Sequence, residues 1–153
     1  MGLTSHEMTR RTALTTAGIG IAATVGTHNV AQASEWTAVE KANVQVVNDF
    51  CSAWASHDVG KIMSFFADTC TYRLNERHEP TKGRQAVTDL IQRILDHVQR
   101  YEVIETFAKG PMVFNERVDR FTNGRSWHGV GVFFLVDGKI VEWYDYTIST
   151  DRA

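Results

Sequence analysis

Hydrophobic residues recur at helical spacing in three segments between residues 36 and 98. Residues 36–56 carry apolar side chains three and four positions apart, which predicts a long amphipathic helix. Asp58 is a typical N-cap, so a short second helix is predicted over residues 59–67. Pro80 and Gly83 mark a loop, and a third apolar stripe follows it. The first and third stripes comprise Val39, Val46, Val47, Phe50, Cys51 and Trp54, and Val87, Leu90, Ile91, Ile94, Leu95 and Val98.

The remainder of the chain has the patterns of β-strands. One strand is predicted over residues 70–74, and four more over residues 101–109, 111–121, 125–136 and 139–148. The turns between the last four are Gly110-Pro111, Asn123-Gly124 and Asp137-Gly138, and Asn-Gly and Asp-Gly are strong hairpin signals. We therefore expect an antiparallel meander. Three helices that precede one curved, antiparallel or mixed sheet make an α+β domain with a cone-shaped pocket.

Three charged residues interrupt these strand patterns. Side chains alternate along a strand, so Arg117 and Asp119 point to the same face. Asp145 shares a face with Val141 and Trp143, in a segment rich in aromatic and β-branched residues. A carboxylate in such surroundings requires a partner or a function. The three residues are candidates for a functional site; the alternatives are an ordinary salt bridge on a solvated face and a hydrogen-bonded structural acid.

The composition is that of an ordinary globular protein. A chain of 153 residues is long enough for one domain with a sizeable core. The formal charge is −2, and no basic run occurs after residue 33, which argues against a nucleic-acid or anionic membrane surface. We therefore expect a small molecule as the partner.

Residues 1–33 differ in kind from the rest. Arg10-Arg11 precedes an uncharged stretch rich in Ala, Gly, Thr and Ile, and Ala31-Gln32-Ala33 follows that stretch. This order is typical of a bacterial export signal, and Thr-Arg-Arg-Thr-Ala-Leu resembles a twin-arginine signal. We expect residues 34–153 to form the domain and the protein to be periplasmic or extracellular. The alternative is a disordered tail on a cytoplasmic protein.

The sequence predicts neither a metal nor a cofactor. No Cys or His spacing matches a zinc or redox motif. Cys51 and Cys70 can pair in an oxidising compartment, but Cys51 lies in an apolar helical stripe, where a cysteine behaves as a small hydrophobe. Both thiols are therefore expected to be free and buried.

Four histidines follow residue 33, and we expect them at the surface. They are His57, His78, His97 and His128. His128 is next to Trp127 on a predicted central strand, so a place in the pocket is the alternative for that residue.

Short motifs resemble limonene-1,2-epoxide hydrolase and its relatives. They are Glu116-Arg117-Val118-Asp119, Gly131-Val132-Phe133, Asp137-Gly138-Lys139-Ile140 and Trp143-Tyr144-Asp145-Tyr146, with Phe65-Phe66-Ala67-Asp68, Thr71-Tyr72 and Gly83-Arg84-Gln85-Ala86-Val87 before them. That family belongs to the NTF2-like, or SnoaL-like, superfamily of cone-shaped α+β domains, which also holds ketosteroid isomerases and polyketide cyclases. The resemblance covers nearly all of residues 36–148. It implies a homodimer that needs no cofactor and binds a small apolar substrate.

The resemblance also implies hydrolysis in one step, without a covalent intermediate. Asp145 would be the general base toward water, and protonated Asp119 would donate to the epoxide oxygen. Arg117 would lie between the two carboxyl groups and orient both. Two carboxyl groups in one apolar pocket do not both ionise readily, so one of them can remain an acid near neutral pH.

In that family a Tyr, and an Asn two residues after it, hold the attacking water. Tyr72 matches this pattern, but the amide belongs to Asn75, one residue further, and Leu74 takes the same-face position. A shift by one residue reverses the face of a strand. We therefore predict a β-bulge near Arg73 or Leu74 that turns Asn75 inward. Without it, the water would lack this amide.

The resemblance and the apolar periodicity together predict the wall of the pocket. The predicted wall residues are Cys51, Trp54, Leu74, Leu95, Tyr101, Phe121 and Trp127. Packing in the core is the alternative for each. Trp54 and Trp127 stand where the family often has smaller aliphatic residues, so we expect a narrow or flat cavity.

Two other functions are compatible with these residues. In an isomerase-like or cyclase-like enzyme, one Asp would shuttle a proton beside a carbonyl group while a Tyr or a protonated Asp stabilises the oxyanion. Arg117 argues against this function, because an isomerase uses an uncharged, apolar acid pair. The third possibility is a binding or dimerisation domain without catalysis, because a fold does not determine a function.

Overall fold

The computed structural model of the protein describes residues 35–150. This part of the chain contains three α-helices, α1 (Ala38–Ala53), α2 (Val59–Met63) and α3 (Arg84–Leu95), and a 3₁₀ helix (Trp54–Ser56) between α1 and α2. Its six strands are β1 (Phe66–Arg73), β2 (Thr81–Lys82), β3 (Val98–Lys109), β4 (Met112–Phe121), β5 (Ser126–Val136) and β6 (Lys139–Thr150).

The strands form one curved sheet in the order β2-β1-β6-β5-β4-β3, which does not close into a barrel. Strands β3 to β6 form the antiparallel meander that the hairpin turns predict. Strand β1 lies parallel to β6 and antiparallel to β2, so the sheet is mixed. The predicted α+β class, with three helices and a curved mixed sheet, is confirmed.

Helix α1 begins at a capping box. Thr37 Oγ1 accepts a hydrogen bond from Glu40 N at 3.2 Å, and Glu40 Oε2 accepts one from Thr37 N at 2.8 Å. Glu40 Oε1 also accepts a hydrogen bond from Gly110 N at 2.7 Å. The same carboxylate thus caps the helix and joins it to the turn between β3 and β4.

Aromatic residues fill the core between the helices and the sheet. Phe50 of α1 contacts Phe133 and Trp143 edge-on, with ring centroids 5.7 and 5.1 Å apart. Trp143 stacks on Tyr72 at 3.8 Å. All four rings are buried, and aromatic pairs contribute about 0.5–1.5 kcal/mol each beyond the area they bury. This cluster holds α1 against the middle of the sheet.

Several element boundaries differ from the sequence prediction. Helix α1 begins at Ala38 rather than at residue 36, and α2 ends at Met63 rather than at residue 67. Phe66 already pairs with Ile140 of β6, so hydrogen bonding to the sheet ends the helical stretch. Val98 begins β3 instead of continuing α3, and β2 lies in the predicted loop. Pairing with distant strands overrides the local pattern at the boundaries of α2, α3 and β2, whereas the capping box at Thr37 determines where α1 begins.

Within residues 35–150, no helix has the length and apolar character needed to cross a membrane. The predicted export signal lies outside the described residues and stays a prediction. Cys51 and Cys70 lie within them, and both are buried with free thiols, as predicted.

Candidate active site

Arg117 is the centre of a buried network that joins Asp119 to Asp145. Arg117 Nε donates to Asp119 Oδ1 at 2.9 Å, and Nη2 donates to both oxygens of Asp145 at 3.0 Å. Arg117 is 0% exposed, Asp145 2% and Asp119 7%. In the sheet, Arg117 of β4 lies opposite Gly129 of β5, and Asp145 of β6 lies opposite Gly131 on the other edge of β5. The register of three adjacent strands therefore brings together residues that lie far apart in the sequence.

The two glycines of β5 make room for the site. A Cβ atom at Gly131 would stand 2.6 Å from Arg117 Nη1 and 3.1 Å from Asp145 Oδ1. A Cβ atom at Gly129 would stand 2.1 Å from the ring of Trp127. A glycine inside a strand often marks such a close approach. Here it lets the guanidinium and the indole lie directly on the surface of β5.

Aromatic rings surround the guanidinium of Arg117. Its Cζ lies 4.6 Å from the ring centroid of Tyr101, 5.1 Å from that of Trp127 and 5.4 Å from that of Trp143. Ring faces attract a cation, and they also exclude water from it. The electrostatic interactions of Arg117 with the two carboxyl groups are therefore weakly screened.

Asp145 has more hydrogen-bond donors than Asp119. Trp143 Nε1 donates to Asp145 Oδ1 at 2.7 Å, and Tyr72 OH donates to Oδ2 at 3.3 Å. Among the described residues, Asp119 receives hydrogen bonds from Arg117 alone, at 2.9 and 3.5 Å. Donors stabilise a carboxylate relative to a carboxylic acid. The network thus favours an ionised Asp145. When the two carboxyl groups hold one proton between them, that proton is on Asp119.

Burial raises the pKa of both carboxyl groups. Desolvation is the main cause for Asp119, and it raises that pKa to about 7 although Arg117 opposes the change. Desolvation also raises the pKa of Asp145, against the opposing effects of Arg117, Trp143 and Tyr72. Near neutral pH the site can therefore hold one carboxylate and one carboxylic acid, which is the division that an acid–base pair requires.

A cavity of about 220 Å³ opens onto both carboxyl groups. Tyr72, Asp119 and Asp145 contribute polar atoms to its wall, and much of the remaining wall is apolar or aromatic, as in small-molecule sites generally. Four predicted wall residues line this cavity: Leu74, Tyr101, Phe121 and Trp127.

The other three predicted wall residues lie in the hydrophobic core, outside the cavity wall: Cys51, Trp54 and Leu95. Trp54 stacks on the far side of the wall residue Tyr101, with ring centroids 4.5 Å apart. These three residues pack in the core, which the sequence left open as the alternative to a place in the pocket wall. An apolar stripe has the same spacing whether its helix faces a cavity or a packed core, so the sequence cannot separate the two cases.

Tyr72 and Asn75 line the same cavity, but without the predicted β-bulge. Residues Thr71, Tyr72 and Arg73 pair with β6 in regular register, and the irregularity of β1 lies earlier in the strand. Strand β1 ends at Arg73. Beyond that residue the alternation of a strand no longer applies, so both Leu74 and Asn75 contribute to the wall.

The side chain of Asn75 also holds the turn that follows β1. Its Oδ1 accepts a hydrogen bond from Arg77 N at 2.9 Å and lies 2.8 Å from His78 Nδ1. The turn thus occupies the amide oxygen, while the residue stands at the cavity wall. A role of Asn75 in holding a catalytic water stays a prediction.

Three further wall residues had no functional signal in the sequence: Ile94, His97 and Val98. Ile94 and Val98 belong to the predicted apolar stripe, which does not distinguish cavity from core. His97 lies between α3 and β3, where the change from helix to strand brings a solvent-exposed side chain to the cavity. His128 instead lies 2.8 Å from Glu116, on the face of the sheet that points away from Arg117.

A second chain of polar side chains ends near Arg117. Thr106 Oγ1 donates to Asn48 Oδ1 at 2.7 Å, Asn115 Nδ2 donates to Thr106 Oγ1 at 2.7 Å, and Cys51 Sγ donates to Asn115 Oδ1 at 3.4 Å. Burial raises the pKa of the Cys51 thiol to about 12, so it is not a thiolate at neutral pH.

Among residues 35–150, no three His, Cys, Asp or Glu side chains form a group that could hold a metal ion.

Comparison with known proteins places this site in a known fold. The profile of the SnoaL-like domain matches residues 47–143. An LEH-like epoxide hydrolase from M. tuberculosis superposes with a TM-score of 0.63 at 24% identity, over 74% of this chain and 85% of that chain. A candidate ketosteroid isomerase from Kribbella flavida DSM 17836 superposes with a TM-score of 0.64 at 15% identity, over 74% of this chain and 83% of that chain. A de novo designed protein with a curved β-sheet superposes with a TM-score of 0.62 at 18% identity, over 70% of this chain and 85% of that chain.

At these identities the solved structures show a shared fold, and their different functions confirm that the fold alone does not determine the reaction. The profile match includes Arg117 and Asp119 and ends two residues before Asp145. It spans more than half of the chain, and the three helices and six-stranded mixed sheet agree with it. The protein therefore belongs to the SnoaL-like domain family, within the NTF2-like superfamily.

Proposed function

We propose that the protein is an epoxide hydrolase that opens a small apolar epoxide with water and needs no cofactor. One observation carries the proposal: Asp119 and Asp145 are held by a single buried guanidinium and both face a largely apolar cavity. The similarity to an LEH-like epoxide hydrolase supports it.

In this proposal Asp145 is the general base and Asp119 the general acid. Asp145 takes a proton from a water molecule while the water oxygen forms a bond to one epoxide carbon. The bond between that carbon and the ring oxygen breaks, and Asp119 gives its proton to the departing oxygen. The product is a vicinal diol, and each proton transfer typically contributes about 10²–10⁴-fold to the rate.

The network keeps its net charge during this step. Before the reaction it holds the Arg117 cation, the Asp145 carboxylate and the Asp119 acid; afterwards the two carboxyl groups have exchanged roles. An uncompensated buried charge costs several kcal/mol, and this exchange never creates one. Asp119 recovers its proton, and Asp145 loses the one it gained, when water next enters the cavity.

The size of the cavity limits the reacting part of the substrate. Its volume of about 220 Å³ lies below the range of about 300–1,000 Å³ that is usual for ligand pockets. Tyr101 and Trp127 narrow the space next to Asp119. The group that carries the epoxide is therefore small and apolar.

An isomerase-like or cyclase-like reaction is the second candidate. Asp119 favours it, because a carboxyl group that stays protonated near neutral pH can donate a hydrogen bond to an enolate oxygen. Arg117 opposes it, because a cation bound to Asp145 weakens that base toward a carbon acid. In hydrolysis, by contrast, Asp145 takes its proton from the attacking water, and that water becomes more acidic as its oxygen bonds to the epoxide carbon. A weaker base is then sufficient.

Hydrolysis in water labelled with ¹⁸O tests the proposal. A panel of small apolar epoxides is incubated with the protein, and we expect one labelled oxygen in each diol formed. Asp145→Asn should abolish the labelled product, whereas Glu116→Gln, which alters a carboxylate on the opposite face of β4, should not. Failure to hydrolyse any epoxide, together with exchange of solvent deuterium into a ketone, would favour the second candidate. Binding without either reaction would indicate a non-catalytic domain.

We also propose that the protein is an exported homodimer. The outer face of β6 exposes Tyr146 and Ile148. Arg73 stacks on Tyr146 at 4.6 Å, while its Nε and Nη2 are buried and find no acceptor among residues 35–150. A carboxylate from a second copy would supply that acceptor, and Tyr146→Ser should shift sedimentation toward the monomer. Export rests on the order of residues 1–33 and is tested by cell fractionation.

A further inference from the structure

The indole of Trp127 stands between three cavities. It lines the active-site cavity of about 220 Å³, an outer cavity of about 350 Å³ beside the turn between β4 and β5, and a small cavity of about 150 Å³ beside the turn that follows β1. Among the described residues that line these cavities, Trp127 alone belongs to all three walls. The position of this ring therefore decides how much space is open to a molecule bound at Asp119.

The ring of Trp127 lies against the sheet. A Cβ atom at Gly129 would stand 2.1 Å from this ring, and the ring centroid lies 5.1 Å from Arg117 Cζ. Neither contact is directional in the way that a hydrogen bond is. The direction of the indole therefore depends on the hydrogen bond that its N–H group makes.

Two hydrogen bonds in series join the indole to the turn that follows β1. Trp127 Nε1 donates to Thr147 Oγ1 at 3.0 Å, and Thr147 Oγ1 donates to Glu76 Oε2 at 3.1 Å. Thr147 N donates to the same carboxylate oxygen at 3.2 Å. Glu76 thus binds both the backbone and the side chain of the residue that holds the indole.

The charge of Glu76 orients the Thr147 hydroxyl. Hydrogen bonds from the backbone N–H groups of Glu76 and Thr147 lower the pKa of the Glu76 carboxyl, so it is ionised near neutral pH and can only accept hydrogen bonds. The Thr147 hydroxyl has one proton, which it gives to Glu76. Its lone pairs are then left to accept the N–H of Trp127.

A β-bulge in β6 brings Thr147 to this position. Gly129 pairs with Thr147 and His128 pairs with Ser149, so Ile148 is the extra residue of the bulge. Thr147 and Ser149 consequently point to opposite faces of the sheet: Thr147 contacts the indole, whereas Ser149 lies 3.5 Å from His128 on the outer face. Bulges are frequent next to active sites, where they re-aim a side chain in this way.

We infer that Glu76 and Thr147 limit the size of the substrate, because they hold the Trp127 indole as a partition between the active-site cavity and its two neighbours. This inference rests on the proposed hydrolase function and concerns the substrate of that same site. With the partition in place, the reacting group has about 220 Å³. If the indole turns away, the adjoining spaces become accessible to that group. Glu76 and Thr147 act through Trp127, so they are positioning residues.

Two epoxides of different size test the inference: cyclohexene oxide and its 4-tert-butyl derivative. Thr147→Val keeps the branched shape but removes the acceptor, and Glu76→Ala removes the group that orients it. In both variants, the ratio of kcat/KM for the small epoxide to kcat/KM for the bulky one should fall roughly three- to tenfold, as expected for the loss of one hydrogen bond. The value for the bulky epoxide should rise, whereas a variant that is only less stable would lose activity toward both.

Two further variants are the controls. Thr147→Ser keeps the hydroxyl and should keep the original ratio. Glu79→Ala removes an exposed carboxylate from the same segment between β1 and β2, and it should behave like the unaltered protein. An unchanged ratio in Thr147→Val and Glu76→Ala, or an equal loss for both epoxides, would overturn the inference. A ratio that falls as far in Thr147→Ser as in Thr147→Val would overturn it as well.

A binding measurement separates this inference from the hydrolase proposal. Cyclohexanol and 4-tert-butylcyclohexanol, which carry no epoxide, are titrated into the unaltered protein and into Thr147→Val and Glu76→Ala by NMR. A preference for the smaller alcohol that falls in both variants, with no epoxide hydrolysed, would reject the hydrolase and keep the partition. Epoxide hydrolysis whose size selectivity is the same in all three proteins would reject the partition alone.

Discussion

Gly131 lies directly beneath the guanidinium of Arg117, and a Cβ atom at this glycine would stand 2.6 Å from Arg117 Nη1. The same atom would stand 2.7 Å from the ring of Phe133. Gly131 pairs with Asp145 on the neighbouring strand. The bare backbone at this position is therefore what allows Arg117 to reach Asp145 over β5.

Gly131→Ala should displace the guanidinium and disable the site. A misplacement of about 1 Å can cost a factor of about 10² in rate, so we expect kcat to fall by about that much. Steady-state kinetics on the best epoxide, with circular dichroism to verify folding, measures the effect. Val130→Ala, at the adjacent position on the other face of β5, is the control and should keep its activity. A Gly131→Ala protein with full activity would show that the close approach has no role.

Asp145→Asn and Asp119→Asn should each remove nearly all hydrolysis and leave the protein folded. An amide keeps the shape of the carboxyl group but cannot exchange the required proton, and a lost acid or base costs about 10²–10⁴-fold. If both variants kept more than about a tenth of the original kcat, the assignment of base and acid would be wrong.

Arg117→Lys should fail as well, although it keeps the positive charge. Arg117 contacts Asp119 through Nε and Asp145 through Nη2, and an ammonium group cannot reproduce this planar arrangement. Arg120→Lys, three residues along β4 on the partly exposed face, is the control. Its kcat should change little.

Hydrolysis should decline above pH about 7, because the pKa of Asp119 is raised to about 7 and the acid loses its proton there. Activity should also fall in acid, where Asp145 takes up a proton and no longer serves as a base. A bell-shaped profile of kcat/KM is thus expected. An alkaline limb that persists in Asp119→Asn would contradict the assignment of that limb to Asp119.

The same raised pKa predicts how stability depends on pH. The folded protein binds the Asp119 proton more tightly than the unfolded chain, whose pKa is near 3.8. The contribution of Asp119 to stability is therefore fully present below pH 3.8 and is lost as the pH rises toward about 7. Urea unfolding over this range should show the unaltered protein losing free energy of unfolding relative to Asp119→Asn. A difference in free energy of unfolding between the two proteins that does not change with pH would contradict the raised pKa of Asp119.

Tyr72→Phe and Asn75→Ala test how the attacking water is held. Tyr72 OH contacts Asp145, and Asn75 lines the same cavity, so we expect both variants to lower kcat with little change in folding. His78→Ala is the control for Asn75, because it removes a partner of Asn75 in the turn without altering the cavity wall. Equal losses in Asn75→Ala and His78→Ala would assign the effect to the turn and not to the water.

Much of the fold could be predicted from local pattern. The Asn-Gly and Asp-Gly turns and the alternation around them identified the meander, since hairpins form between neighbours in the chain. The ends of α2 and α3 could not be predicted, because Phe66 and Val98 join strands through partners that lie far away in the sequence. The bulge predicted near Arg73 is absent for a related reason: the strand ends there, and only its pairing with β6 determines where it ends.

The sequence by itself determined the α+β class, the shared face of Arg117 and Asp119, and the place of Asp145 in an aromatic and β-branched segment, because these depend on periodicity and on short motifs. Tertiary structure decided which apolar residues face a cavity: Leu74 does, whereas Trp54 packs behind Tyr101. It also decided that Asp145 meets Arg117 and that both carboxyl groups hold their protons more tightly than usual. Desolvation and strand register cause these effects, and both arise only when distant segments of the chain pack against one another.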